Sequence, residues 1–175
     1  GLGFKIAVVP FHAWAPDVYE GAPTPVTTLL AAASKAMGFI AVFRVFVFTL
    51  DSVSEDWELV IGIVALASMT LGNLAAISQN DVGRMLAYSS IAQAGYIMIA
   101  IPALTNEAMS GAIAHTLVHA FMKGGAFVVV GCVGAAGLGY SLDSYKGLAK
   151  RSQLLALSMT VCLLSLVGIP PFAGF

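Results

Sequence analysis

Residues 108–138 read AMSGAIAHTLVHAFMKGGAFVVVGCVGAAGL, a stretch long and apolar enough to cross a lipid bilayer as one helix. About 20 apolar residues suffice for such a span. Its one charged side chain, Lys123, lies near the middle of the stretch. On insertion scales, a lysine at a helix centre makes the free energy of membrane insertion less favourable by roughly 2.5–3.5 kcal/mol, so membrane segments rarely carry one without a function.

A second lysine, Lys35, lies near the middle of another apolar stretch, residues 24–49. Charged residues at such depth usually face a bundle interior or a wet cavity, and they often mark an ion or proton path. The alternative is a lysine near a helix end whose amine extends to the lipid–water interface. The central placement of both lysines favours the buried interpretation.

The composition is that of an integral membrane protein. The chain has 175 residues, of which 59% are hydrophobic and 10% charged, with a mean hydropathy of +0.91. An ordinary soluble domain is about 25% charged. The net charge of −1 gives no reason to expect nucleic acid as a partner. Cys132 and Cys162 are expected to be small core residues rather than a disulfide or a metal pair.

Short polar connections divide the chain into apolar segments, and no signal peptide is expected at the start. Helices satisfy their own backbone polar groups in lipid, which predicts an all-α, polytopic transmembrane helix bundle. Both ends are expected to be cut from a longer chain. The predicted complete spans are 24–49, 58–79, 84–104 and 108–138, and the predicted partial spans are 1–15 and 153–175.

The charges of the connections predict an orientation, because cytoplasmic loops are enriched in lysine and arginine. The connection that ends at Arg84 and the connection 140–152 are basic, whereas the connection 51–57 is acidic. Crossing each span once places both basic connections on one side, which is predicted to be cytoplasmic. The connection 16–23, with the loop carboxylates of Asp17 and Glu20, joins that side, and Trp57 is expected at the outer interface.

Two helix breaks are predicted, at Pro10 and at residues 168–171, which read GIPP. Proline lacks the amide hydrogen and clashes with the preceding turn. Broken helices that expose backbone polar groups to a cavity are a known device of ion-moving transporters. A kink with only a packing role is the alternative.

His115, His119 and Lys123 follow one another at intervals of four residues, which places them on one helix face over about 12 Å. Such a row predicts a proton relay through intervening waters, since histidine exchanges protons near neutrality and burial disfavours the charged form of an amine. Zinc binding by the two histidines is a weaker alternative, because no carboxylate or thiolate is placed to complete the site. Interhelical hydrogen bonding is a further alternative.

Other polar residues in the apolar segments have less definite roles. Lys5 is expected to be a third intramembrane lysine, and Arg44 is expected to extend to the interface near the end of its span. Simple hydrogen bonds between helices are expected of the remaining polar side chains, which are Asn73, Ser89, Ser90 and Gln93.

Three separated motifs stand out in the chain. The first is KIAVVPFHAWAPDVYEGAPTPV at residues 5–26, the second is AYSSIAQAGY at residues 87–96, and the third is GIPPFAGF at residues 168–175. Together they resemble antiporter-like membrane subunits of respiratory complex I and point to the subunit N branch of that family. The resemblance implies a fold of about fourteen helices, with two inverted five-helix repeats that each contain a broken helix. Residues 1–175 are then the central part of one proton-translocating transmembrane domain.

The resemblance also implies roles for the lysines. Lys5 matches a lysine at the first break, which pairs in the family with a glutamate on an earlier helix. Lys35 matches the connecting lysine of the next helix, and Lys123 matches a central position. Together with His119 and His115 they form a chain of protonatable groups across the membrane midplane.

The function implied is that of a non-redox, proton-translocating subunit of a complex I-like NADH (or related donor):quinone oxidoreductase. No cofactor and no metal are expected in this chain, and quinone is reached only through the complex. The expected partners are other membrane subunits and the lipid of a prokaryotic cytoplasmic membrane, or of an equivalent energy-transducing membrane. A subunit of a multi-chain sodium/proton antiporter is the alternative, and a purely structural membrane spacer is another.

Overall fold

Every regular element in residues 1–174, which are the residues that this computed structural model describes, is helical. Four of these helices are long and apolar enough to cross a membrane. The prediction of an all-α transmembrane bundle is therefore confirmed. The helices are α1 (Leu2–Ile6), α2 (Trp14–Gly21), α3 (Thr24–Thr49), α4 (Ser54–Ile77), α5 (Val82–Ala103), α6 (Asn106–Ala135), α7 (Leu148–Arg151) and α8 (Gln153–Val167).

Helix α3 has the bounds predicted for it, but α4 begins at Ser54 and not at residue 58. Glu55 and Asp56 lie in the first turn of α4, where the helix dipole favours negative charge. The acidic residues that suggested a connection therefore form the start of the helix. Trp57 lies inside α4, where it donates a hydrogen bond to the Leu50 carbonyl at 2.9 Å.

Capping side chains start α5 and α6 two residues earlier than predicted. Asp81 Oδ1 accepts a hydrogen bond from Arg84 N at 2.9 Å, and Thr105 Oγ1 accepts one from Ala108 N at 3.2 Å. Aspartate and threonine are favoured at this position because they satisfy amides that have no helical partner. Helix α6 ends at Ala135, three residues before the predicted end.

The connection predicted at residues 16–23 is wrong, because most of it belongs to α2. Pro16 lies in the first turn of α2, where a missing amide hydrogen breaks no helical bond. Pro23 restricts the residue before it to extended backbone, and α2 ends accordingly. The connection 140–152 likewise contains α7 and a 3-10 turn, Leu142–Tyr145.

Both predicted helix breaks are confirmed. Helix α1 ends at Ile6, the next residue, Ala7, has a φ of 56°, and the chain forms turns until α2 begins. The amide of Val9 in this break donates to Ser68 Oγ at 3.0 Å. Helix α8 ends at Val167, and the φ of +79° at the next residue, Gly168, places it in the left-handed conformation that glycine adopts most easily. Phe175, the last residue of the third motif, lies outside the described residues.

Helices α4 and α5 pack closely because glycine occupies their contact points. A Cβ atom at Gly72 would lie 2.6 Å from Ala92 N, and one at Gly95 would lie 2.7 Å from the Ala65 carbonyl oxygen. Small residues let membrane helices approach in this way. Helix α5 buries a larger share of its residues than α3, α4 or α6, so it lies at the centre of the bundle.

The grouping of connections predicted from charge is confirmed. Arg84 Nη1 lies 2.7 Å from Asp17 Oδ1 and 2.7 Å from Glu20 Oε2. The amide of Leu142 donates to the Asn80 carbonyl at 2.9 Å, which joins the third connection to the same end. The interpretation of Asp17 and Glu20 as loop carboxylates is wrong, since both lie on α2 and pair with Arg84. The membrane side that this end faces stays a prediction.

Candidate functional site

Helix α6 directs its row of ionisable residues into the bundle. Lys123 is 0% exposed and His119 is 3% exposed, whereas His115 is half-buried. The row faces inward because the opposite side of the helix carries large apolar residues, such as Leu117 and Phe121, which are exposed at the surface of the bundle. The spacing of four residues thus produces the single face that the sequence predicted.

Lys35 reaches the same interior from α3 and is 3% exposed. Its Nζ donates to the Ser90 carbonyl at 2.7 Å and to Ser90 Oγ at 2.8 Å. A π-helical turn, Leu30–Ser34, immediately precedes Lys35. Turns of this kind are rare and frequently occur at functional sites.

The amine of Lys123 also binds α5, on the face that carries Ser90 and one turn before it. Lys123 Nζ donates to the Leu86 carbonyl at 2.8 Å. Leu86 and Ser90 are four residues apart on α5, which corresponds to about 6 Å along the helix axis. The tertiary structure therefore brings two lysines that are distant in sequence to neighbouring acceptors.

Neither amine forms an ion pair within the described part of the chain. Their hydrogen-bond partners are neutral oxygens, which accept from an amine whether or not it is charged. Two positive charges buried beside neighbouring acceptors would repel each other, since little water screens them.

His119 lies between Lys123 and His115 on the α6 face. Its Nε2 is buried and has no hydrogen-bond partner among residues 1–174. The ring centroids of His115 and His119 are 6.5 Å apart, with 33° between the ring planes. Proton transfer between these rings needs a bridging group such as a water molecule.

Gln93 connects His115 to the second break. Gln93 Oε1 lies 2.7 Å from His115 Nε2, and Gln93 Nε2 donates to the Leu166 carbonyl at 2.9 Å. A cavity of about 710 Å³ adjoins this group. Its lining includes Asn73, Ser89, Gln93, Tyr96, His115 and Gly168.

Lys5 differs from the other lysines because it is exposed. Its side chain packs beside Gly38 of α3, where an added Cβ would lie 3.3 Å from Lys5 Cγ. Gly38 is three residues after Lys35, so Lys5 approaches the helix that carries Lys35. Within the described residues no hydrogen bond joins the Lys5 amine to α5.

The structure adds residues that the sequence analysis did not single out. The Leu86 carbonyl is one, and a backbone acceptor has no signature in a sequence. His12 is another: its Nδ1 is buried in the first break without a partner among the described residues. Its position two residues after Pro10, inside the first motif, is the sequence feature that could have identified it.

The two cysteines are both free, but only one lies in the core. Cys162 is half-buried and its Sγ packs against Gly125, where an added Cβ would lie 2.8 Å away. Cys132 is exposed on α6, so its prediction as a core residue is wrong. In the described residues no group of three histidine, cysteine or acidic side chains could hold a metal ion.

Comparison with curated proteins identifies relatives over the whole chain. It is 50% identical over 184 residues to the F(420)H(2) dehydrogenase subunit N of Methanosarcina mazei. It is 49% identical over 175 residues to the NADH-quinone oxidoreductase subunit N of Desulforamulus reducens. Both comparisons cover 100% of this chain and 37% of the relative. The chain therefore spans little more than a third of the length of these relatives.

Solved structures share the fold. A chain of respiratory complex I from Thermus thermophilus with bound aureothin matches with a TM-score of 0.82 and 37% identity, over 100% of this chain and 38% of that one. A chain of the Mrp complex from Dietzia sp. DQ12-45-1b matches with a TM-score of 0.87 and 27% identity, over 99% of this chain and 32% of that one.

The family model described as NADH:quinone oxidoreductase/Mrp antiporter, TM, matches residues 1–175. This match confirms the resemblance that the three motifs indicated. The chain therefore belongs to the transmembrane family of NADH:quinone oxidoreductase subunits and Mrp antiporters.

Proposed function

We propose that this chain is the proton-translocating core of a membrane subunit in a complex I-like quinone oxidoreductase. The observation that carries the proposal is the pair of buried lysines, Lys35 and Lys123, bound to neighbouring carbonyls of α5. Residues buried only for packing would not be expected to be amines without a counter-charge.

The proton path follows the order of the buried groups. A proton that arrives on Lys35 makes a second charge on Lys123 unfavourable, because the two amines bind carbonyls on neighbouring turns of α5. Lys123 then releases its proton towards His119, and His115 receives it through a bridging water. Only N–H bonds form and break, so no redox group is needed in this chain.

Lys5 is the proposed switch at the start of this path. It packs beside Gly38 on the helix that carries Lys35, and its exposed amine is accessible to a partner beyond residues 1–174. The family resemblance suggests a glutamate for that partner. A change in the Lys5 charge would then alter the proton affinity of Lys35 through the field that it creates.

The electron donor is oxidised elsewhere in the proposed complex. Two relatives of nearly equal identity are named for different donors, F(420)H(2) and NADH. If this chain recognised the donor, its identity to these two relatives would be expected to differ more. The proposed partners are thus other membrane subunits in an energy-transducing prokaryotic membrane, and quinone is reached only through the complex.

The test replaces Lys35 or Lys123 with alanine in the full-length subunit of the assembled complex, in sealed vesicles. We expect proton pumping to fall by about a hundredfold or more, the scale on which positioned proton-transfer groups act. Lys150→Ala is the matched control, since Lys150 is exposed on α7. Normal pumping by both buried-lysine variants, with normal assembly, would show that the chain is a structural spacer.

A second candidate function is sodium/proton exchange without a redox partner. The match to a chain of the Mrp complex, with a TM-score of 0.87, favours it. The same vesicles distinguish the two functions when no electron donor is added. Proton movement driven by a sodium gradient alone would support exchange, whereas movement that requires electron transfer supports the first proposal.

A further inference from the structure

The second helix break leaves the Leu166 carbonyl without its helical donor. In an α-helix the carbonyl of Leu166 would accept from the amide of residue 170, but residue 170 is proline and has no amide hydrogen. Helix α8 also ends at Val167, just after this carbonyl. Gln93 Nε2 supplies the missing donor at 2.9 Å.

This hydrogen bond determines the orientation of the Gln93 amide. A carbonyl oxygen only accepts hydrogen bonds, so the nitrogen of the amide faces Leu166 and its oxygen faces His115. Gln93 Oε1 lies 2.7 Å from His115 Nε2. Because Oε1 can only accept, His115 Nε2 carries the hydrogen of this bond.

We propose that Gln93 is a positioning residue that holds neutral His115 with its proton on Nε2. Neutral imidazole carries one N–H, so Nδ1 is then the nitrogen that takes up and releases the relayed proton. The charged ring keeps the same bond, since both nitrogens donate in that state. The importance of this tautomer for transport depends on the proposed function of His115, although the tautomer itself does not.

Through Gln93, the second break also becomes part of the environment of His115. Gln93 is 6% exposed, and it lies on the same face of α5 as Ser90, three residues earlier. While the Leu166 carbonyl stays in place, the amide cannot rotate without losing a buried hydrogen bond. A movement of α8 that withdraws this carbonyl frees the amide, and either tautomer of His115 is then allowed.

The test is a tautomer measurement by solid-state NMR on the assembled complex, with nitrogen-15 histidine in the full-length subunit. The His115 signals are assigned by their loss in the variant His115→Gln. In the unmodified protein we expect neutral His115 to have a protonated Nε2 and a bare Nδ1. Detection of the opposite tautomer in the unmodified protein would overturn the proposal.

Two substitutions of Gln93 test the cause of the tautomer. Gln93→Leu removes the acceptor, and we expect the second tautomer to appear and pumping to fall roughly tenfold or more, as for other orienting partners. Gln93→Glu keeps an acceptor for His115, and we expect the Nε2 proton to remain. An unchanged tautomer in Gln93→Leu would refute the role of Gln93.

Asn73→Leu is the matched control. Asn73 lines the same cavity and its Nδ2 donates to Tyr96 Oη at 2.8 Å, and among the described residues no hydrogen bond joins it to His115. We expect the tautomer of His115 to stay as in the unmodified protein. If Gln93→Leu changes the tautomer while His115→Gln pumps normally, the proposal for Gln93 stands and the relay role of His115 fails.

Discussion

At the scale of single residues, the candidate site depends on oxygen atoms of α5 rather than on opposite charges. Ser90 offers Lys35 two acceptors, its carbonyl at 2.7 Å and its hydroxyl at 2.8 Å. The Leu86 carbonyl is the acceptor that Lys123 binds. Neutral acceptors tolerate both the charged and the neutral amine, which a proton carrier requires.

The hydroxyl of Ser90 can be removed without removing the carbonyl. In Ser90→Ala we expect the free energy of unfolding of the full-length subunit to fall by about 1 kcal/mol, the typical net contribution of one hydrogen bond. Thermal unfolding in detergent measures this change. Ser89→Ala is the control, since Ser89 is half-buried and lines the cavity. Equal losses in both variants would contradict the assigned bond.

At the scale of the elements, the close contact between α4 and α5 keeps the acceptors in place. Gly72 and Gly95 lie at the two contact points, and backbone atoms of the opposite helix, Ala92 N and the Ala65 carbonyl oxygen, are among the nearest atoms. Backbone atoms in a packed helix cannot move aside as a flexible side chain can. The position of α5 therefore depends on the absence of side chains at these two residues.

Gly95→Ala should separate α4 from α5. The added Cβ would lie 2.7 Å from the Ala65 carbonyl oxygen, and we expect a loss of about 1–3 kcal/mol, as for overpacked cores. Gly62→Ala on α4 is the matched control, because no atom lies within 4 Å of its added Cβ. We expect Gly62→Ala to leave thermal stability unchanged or slightly raised. A similar loss in both variants would argue against the predicted clash.

At the scale of the whole molecule, Arg84 joins the broken first helix to the central helix of the bundle. It lies in the first turn of α5 and binds both Asp17 and Glu20 of α2 at 2.7 Å. The aromatic ring of Tyr19, also on α2, packs edge-on against Phe127 of α6, with centroids 5.6 Å apart. The second half of the broken helix is thereby attached to α5 and α6, two of the helices that form the site.

Arg84→Gln removes both ionic hydrogen bonds of this attachment. The carboxylates are partly exposed, so we expect a loss in overall stability of about 1 kcal/mol or less per pair. We expect a clearer effect on local order, namely faster hydrogen exchange of the α2 amides. Lys146→Gln is the control, since Lys146 pairs only with the exposed Asp143 in the described part of the chain. Unchanged exchange in α2 would contradict the role of Arg84.

The local features of the fold could be predicted, but some boundaries could not. The bounds of α3 and the breaks at Pro10 and at residues 168–171 follow from apolar length and from proline chemistry. The sequence predicts a connection at residues 16–23, because acidic residues such as Asp17 and Glu20 are typical of a solvated loop. The structure instead pairs both carboxylates with Arg84. Polarity alone does not distinguish a loop from a helix that is paired through its charges.

Apolar length and residue spacing are local properties, so they predict a bundle of membrane helices with Lys35, His119 and Lys123 in its interior. Which atoms these groups contact depends on the tertiary structure. The carbonyls of Leu86, Ser90 and Leu166 are acceptors that any residue could supply, so their identity follows from how the helices pack. The partnership of Gln93 with His115 likewise exists only because α5, α6 and the end of α8 converge at one place.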